Sequence, residues 1–268
     1  MLRHLGRGAP ATCALVASVL LPVIAFAATP APAVPDAQRE QIESVIQDYL
    51  DRHPEVVQKA LDTIQQREEA ARDKRQRDAM AAHAKDLYED PASPVAGNPR
   101  GSVTLVEFFD YSCPHCKHAE PAVKSALDKE GPEGALRVVY KEFPILGPGS
   151  LYASRAALAS IPQGKYAAFH RALMEAQVID EDAVQGIAKQ VGLDVPRLLK
   201  DMESPAVQRA IEDNARLAGE LEIQGTPAFI IGDQLLPGGL DAGTLAAYIS
   251  TEKARGGAAT AKTAAAAR

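Results

Sequence analysis

The chain has 268 residues, 46% of them hydrophobic and 24% charged, with a net charge of −6. That length suits one core of ordinary size with an accessory segment. The mild acidity argues against nucleic acid or an anionic membrane surface as the main partner.

Arg3 and Arg7 open the chain, and an apolar run follows from Ala11 to Ala27. With the small residues of Ala25-Phe26-Ala27, this reads as a signal peptide over residues 1–27, cleaved after Ala27, which places the protein in the periplasm. An uncleaved membrane anchor is the alternative. Against it, the run is shorter than the roughly 20 residues a spanning helix needs, and Pro22 interrupts it. Cleavage removes Cys13 and leaves two of the three cysteines, Cys113 and Cys116.

Residues 28–35 (ATPAPAVP) form a linker. Residues 36–90 read as a helical stalk. Ile42, Val45, Ile46, Tyr49 and Leu50 recur at helical spacing. His53-Pro54 interrupts them, because a residue before proline is pushed out of helical geometry and proline suits a first turn. Val56, Val57, Ala60, Leu61 and Ile64 continue an apolar face. Residues 65–86 are almost all polar or alanine and read as a solvated connecting helix. Two apolar faces need cover from their own domain, a membrane, or other copies of the chain. Interfacial membrane helices are usually basic on the polar face, whereas this segment is mostly acidic. Self-association into a homo-oligomer is the reading we favour.

The main domain spans residues 92–252. Val103–Phe109 reads as a buried strand. The cysteine motif then opens a helix to about Lys129, ended by Gly131, Pro132 and Gly134, and Leu136–Tyr140 is a second strand. This is a β-α-β unit, the signature of a parallel pair with a crossover helix. Residues 149–221 read as a helical insertion broken near Pro162, Gly192 and Pro205. Residues 228–231 and 234–236 read as a hairpin, residues 241–249 as a closing helix, and residues 253–268 as a disordered tail.

Cys113-Pro114-His115-Cys116 carries the chemistry. Cys113 falls at a helix cap with Pro114 at the first helical position, where a missing N–H costs nothing. The unpaired N–H groups and the helix dipole there favour a thiolate, the attacking species in disulfide exchange. Cys116, one turn on, is the more buried partner that closes the disulfide. A charged His115 stabilises the Cys113 thiolate further and makes the disulfide more oxidising. Two other readings compete: Zn²⁺ or Cu⁺ held by the cysteines with His115 and His118, and a structural bridge. A closed zinc site needs a further ligand pair, and His170 stands alone downstream. A bridge across two intervening residues stabilises little. Thr226-Pro227 stands directly before an apolar strand, where proline fits only at the first position. Glu107 lies within the buried first strand, where a carboxylate needs a partner or a task, unless it sits at the rim with its head in water.

The segment from Phe108 to Cys116 and Gly225-Thr226-Pro227 resemble the DsbA-type branch of the thioredoxin superfamily over about residues 92–250. The resemblance implies an α/β thioredoxin fold with an inserted helical subdomain, Cys113 as nucleophile and Cys116 as resolving cysteine. It further implies a cis-proline loop at Thr226-Pro227 that contacts substrate, and Glu107 as an aid to proton transfer. Residues 36–90, with Asp48–Glu55 at the helix break, are similar to the stalk of the suppressor-of-copper-sensitivity (ScsC-like) subgroup, whose members can oligomerise. The activity expected is protein thiol-disulfide exchange on exported proteins carrying thiols or disulfides, isomerase or reductase rather than oxidase. A membrane partner would reset the cysteines, with no cofactor and no metal. A disulfide-donating oxidase is the alternative within the class, and a copper-binding or holdase protein the alternative outside it.

Overall fold

A computed structural model describes residues 35–266, with side chains to residue 256. The expected signal peptide and all but the last residue of the expected linker lie outside the described residues.

The chain divides into two units, residues 1–63 and 64–268. In the first, α1 (Asp36–Arg52) ends at His53, and α2 (Pro54–Ala82) restarts at Pro54. The break follows from the proline, which removes an N–H and pushes His53 to φ −129°, ψ 62°. No residue of α1 is buried. Ile42, Val45, Ile46 and Tyr49 are each 46–68% exposed, and Val56, Val57 and Leu61 are exposed as well.

In the second unit the rest of α2 is followed by α3 (Ala84–Tyr88), β1 (Val95–Gly97), β2 (Val103–Phe109), α4 (Pro114–Glu130) and β3 (Leu136–Glu142). Five helices come next: α5 (Pro148–Ala159), α6 (Tyr166–Glu175), α7 (Glu181–Gln190), α8 (Val195–Met202) and α9 (Pro205–Glu220). β4 (Ala228–Ile231), β5 (Gln234–Pro237) and α10 (Ala242–Ala266) complete the chain. The sheet order is β1-β3-β2-β4-β5. Only β2 and β3 run parallel, joined across α4, and the other pairs are antiparallel. This is an α/β thioredoxin fold with an inserted helical subdomain and a helical N-terminal region.

Both sheet faces are covered, which is why β2 and β3 read as apolar runs without alternation. Val103, Leu105 and Phe109 of β2 face α4, α10 and the inserted helices. Val106 and Phe108 face Met80, Leu87 and Leu217 on the other side. The inserted helices α7, α8 and α9 open with Asp180, Asp194 and Ser204, whose side chains accept from free backbone N–H groups of the first turn.

Three expectations are corrected. The helix over residues 65–86 is not solvated throughout: Gln76 is buried and donates to the Leu221 carbonyl, and Met80, with Leu87 just beyond, packs in the core beside the sheet. An isolated Met and Leu in a polar stretch carry no periodic signal, so their burial is a tertiary effect. The tail expected to be disordered from residue 253 continues α10 to Ala266. Its alanines have the highest helix propensity, which outweighs the lack of apolar anchors. Finally, Val103–Phe109 is not the first strand: β1 precedes it, and a three-residue edge strand held by backbone pairing leaves no pattern in the sequence.

Candidate functional site

The site forms where β2 ends. Asp110 is fully buried and organises the turn into α4. One carboxylate oxygen accepts from the Ser112 N–H at 2.7 Å. The other accepts from the N–H groups of Ile145 and Leu146 at 2.8 and 2.9 Å, in the loop after β3. The Asp110 carbonyl accepts from the Cys113 N–H at 3.1 Å. Ser150 at the start of α5 donates to the Ser112 hydroxyl at 2.8 Å. A polar cage thus fixes where the helix begins.

Cys113 is the N-cap of α4 in extended geometry, with Pro114 in the first turn. The Cys113 residue thus stands at the positive end of the helix dipole, although its side chain makes no capping bond. Cys113 is 4% exposed and Cys116 fully buried, and both are free thiols. Pro114 and His115 are exposed beside them, as is His118. Burial pushes the Cys116 thiol up, a backbone hydrogen bond from Asp110 opposes this, and the Glu107 and Cys113 charges add to it. A thiol in that state needs a base before it can attack.

From the far side of the sequence, Thr226-Pro227 arrives immediately before β4. Its peptide bond is cis. The Thr226 carbonyl accepts from the Cys113 thiol at 3.2 Å. Next to this loop lies a groove of about 220 Å³, bordered by Arg72, Glu222, Gln224, Thr226, Pro227 and Gly238. A sulfur at a helix N-terminus therefore lies against the half-buried Thr226 of a loop that borders a groove.

Glu107 sits in β2 between Tyr140 of β3 and Phe229 of β4, in register with both. It is fully buried and neither carboxylate oxygen has a hydrogen-bond partner. The rim position considered from the sequence is thereby excluded. Burial raises its carboxyl well above the usual range, and the nearby Glu120 and Glu142 charges add to the shift. A buried carboxylate with no partner is costly, and such groups gather at working sites.

The structure thus brings together Cys113, Pro114, His115 and Cys116 with Thr226-Pro227, and places Glu107 on the same face of the sheet as the α4 core. Sequence reasoning missed Asp110, whose only signal was an acidic residue next to the motif. It also missed Glu142, where Tyr111, Ser154 and Tyr166 converge on one buried carboxylate. Among the described residues, no group of three or more His, Cys, Asp or Glu is arranged to hold a metal ion. No helix among them is long and apolar enough to cross a membrane.

Comparison with known proteins agrees with this geometry. The family model of the copper resistance protein ScsC N-terminal domain matches residues 38–71. A thioredoxin-like oxidoreductase from Silicibacter pomeroyi is 45% identical with a TM-score of 0.61, covering 63% of this chain and 96% of its own. A deletion mutant of Proteus mirabilis ScsC is 27% identical with a TM-score of 0.63, covering 85% of this chain and all of its own. The Na(+)/H(+) antiporter NhaA of Herminiimonas arsenicoxydans is 30% identical over 62% of this chain, which spans only 27% of the antiporter's length. The DSBA-like thioredoxin domain matches residues 104–250, more than half of the chain, and the protein belongs to that family.

Proposed function

We propose that the protein exchanges thiols and disulfides on exported proteins in the periplasm, as an isomerase or reductase, through a mixed disulfide on Cys113 that Cys116 resolves. One observation carries this reading: the Cys113 sulfur, at a helix N-terminus, lies 3.2 Å from the backbone oxygen of Thr226, on the loop that borders the groove. A substrate chain laid along that loop would present its cysteine to Cys113. Pro227, lacking an N–H, closes the turn without competing for the substrate's backbone. A membrane protein would return the pair to its working redox state.

The exposed apolar residues of α1 and early α2 support the isomerase side of the reading. Burying them between copies of the chain would place several Cys113 sites around one substrate and raise the effective concentration for a second exchange. The CPHC sequence itself favours the oxidase alternative, since a histidine in that position makes a disulfide more oxidising.

Thiol trapping in cells separates the two: a reduced pair means isomerase or reductase, an oxidised pair means oxidase. In vitro, Cys113→Ser should abolish insulin reduction and refolding of a scrambled multi-disulfide protein, while Cys116→Ser should accumulate mixed disulfides. Full activity in Cys113→Ser would reject the mechanism. Stoichiometric copper binding without exchange activity would favour a metal-handling role instead.

A further inference from the structure

The sheet ends on β5, which pairs with β4 on one side and with no strand on the other. Its pairing fixes which backbone groups face outward. The Gly238 N–H donates to the Pro227 carbonyl at 2.8 Å. In an antiparallel ladder, directly opposed residues alternate between pairs that exchange hydrogen bonds and pairs that do not. Counting from that bond, Leu236 with Phe229 and Gln234 with Ile231 exchange bonds, whereas Leu235 stands opposite Ile230 in a pair that does not. The N–H and C=O of Leu235 therefore point away from the sheet, as does the Pro237 carbonyl. Pro237 itself adds no donor.

A short edge strand can stay unpaired without harm, but this one is framed. A hollow of about 260 Å³ lies along it, lined by Leu235 and Leu236 of β5 and Met80 of α2, with Asp73, Arg77 and Arg255 as charged neighbours. Met80 belongs to the core on one face of the sheet, and Leu236 packs against the core on the other. The hollow thus wraps round the strand edge, with α2 as one wall and α10 as the other. Arg255 holds the hairpin turn in place: its guanidinium reaches Asp233 at 3.2 Å and Glu252 at 2.8 Å. A free edge between two helices, apolar inside and charged at the lip, has the form of a site for one added strand.

The slot also leads to the cysteines. Leu235 borders both this hollow and the groove beside the Thr226-Pro227 loop. Past Pro237, Gly238 is bonded to Pro227, and Gly239 lies so near α4 that a Cβ there would stand 3.6 Å from the His115 carbonyl oxygen. Thr226, whose carbonyl meets Cys113, is separated from a strand outside Leu235 by two strand spacings sideways and four residues along. That is about 16 Å, or roughly five extended residues.

We propose that the outer edge of β5 is a second docking site for substrate, which takes an extended segment of the exported protein, about five residues from the reacting cysteine, as an added β-strand. The inference rests on the exchange reaction proposed above and carries it beyond the Thr226-Pro227 loop. Recognition is by backbone. The lips carry both signs of charge, so neither sign is favoured in the substrate, and a main-chain ladder accepts any sequence able to extend. The site selects unfolded or misfolded chains over folded ones, whose backbone is already paired.

The test compares a long with a short substrate in single turnover. The fully reduced mature chain is mixed with a peptide of about twelve residues, long enough to span the edge, whose single terminal cysteine carries a glutathione disulfide, or with glutathione disulfide alone. Products are followed by mass. In each case Cys113 attacks the disulfide, Cys116 then closes the protein disulfide, and both halves of the substrate leave as thiols, having taken two electrons and two protons from the cysteine pair. Leu235→Pro removes the outward N–H at a place where an edge strand tolerates proline. Leu235→Ala shortens the side chain and keeps that N–H. The ratio of second-order rate constants, long peptide over glutathione disulfide, should fall roughly tenfold in Leu235→Pro, the scale of one lost hydrogen bond, and stay near the wild-type ratio in Leu235→Ala. With wild-type protein, N-methylating the peptide one residue at a time should slow its reaction at alternate positions about five residues from the cysteine, and this readout holds even where the proline variant does not fold. A flat N-methyl scan, or the same ratio in Leu235→Pro and wild type, would overturn the docking site. Equal losses in Leu235→Ala and Leu235→Pro would assign the effect to the side chain and overturn backbone recognition. A lower mass of Leu235→Pro by light scattering, with an unchanged ratio, would give the edge to a second copy of the chain. The exchange reaction survives all of these results; it fails instead if reduced wild-type protein leaves both substrates unreduced.

Discussion

The two ends of this molecule depart from ordinary solvation in opposite senses. α1 and early α2 leave Ile42, Val45, Ile46, Tyr49 and Leu61 in water. The sheet domain keeps Glu107, Glu142 and His170 dry. An apolar stripe in water gains by covering itself with another surface, and a carboxylate out of water gains by holding a proton. A second chain would cover the stripe, and a proton would neutralise the carboxylate. The contrast separates the proposed assembly surface from the proposed chemistry, and each can be perturbed by its own substitutions.

The largest effect should come from charging the stripe. Ile46→Asp with Leu61→Asp should convert a self-associated mature chain to a monomer by light scattering, while exchange with a small disulfide stays unchanged. If wild type and variant have equal mass, self-association is wrong. Loss of exchange with glutathione in the variant would show that the two regions are not separable. Next, Leu87→Ala should cost about 2–5 kcal/mol in denaturant unfolding, as large-to-small changes in a core do. A cost below about 0.5 kcal/mol, typical of surface sites, would return α3 to the solvated stalk.

The dry carboxylates predict a pH dependence. Burial pushes the Glu142 carboxyl up to about 8, although hydroxyl groups of Ser154, Tyr166 and Tyr111 oppose the shift. Between the ordinary value of 4.5 and that point, the folded protein holds a proton which the unfolded chain has released. Stability should then be greatest below about pH 4.5 as far as this group is concerned, and fall as pH rises to about 8, by on the order of a few kcal/mol. Glu107 shifts in the same direction, so Glu142→Gln should flatten the slope of melting temperature against pH without removing it. An identical slope in the variant would show that Glu142 ionises freely in the fold. The smallest effect is expected at the surface of the site: His115→Ala should make the disulfide less oxidising by on the order of 30 mV, about tenfold in the exchange equilibrium, measured against glutathione.

The difference between the regions also explains what could be read in the sequence. The helix break at His53-Pro54, the strand Val103–Phe109 and the helix opened by Pro114 are local matters of proline geometry and side-chain pattern, and each lies where the sequence reading put it. Thr226-Pro227 was legible by its place before a strand. What escaped was what only tertiary structure creates. Lys141 is buried in β3 because it reaches back to Asp90 at 2.9 Å and to the Asp86 carbonyl, so the strand runs past Tyr140 where the apolar pattern stops. His170 looked like a lone histidine; its neighbours Glu120 and Tyr111 lie 50 and 59 residues away along the chain. Met80 and Leu87 became core residues only through a sheet face that the linear pattern did not reveal.

Asp110 joins two loops that are far apart in sequence, the redox turn through Ser112 and the segment at Ile145–Leu146. Surface loops ordinarily tolerate insertions and drift in length independently of one another. Here one carboxylate sets the relative position of both, so neither can change length without moving the other. In variation among related chains, or in attempts to graft new substrate specificity, the two segments should behave as one inherited block: exchanged together they keep the cysteine helix in place, and exchanged singly they leave a buried carboxylate facing backbone that no longer meets it.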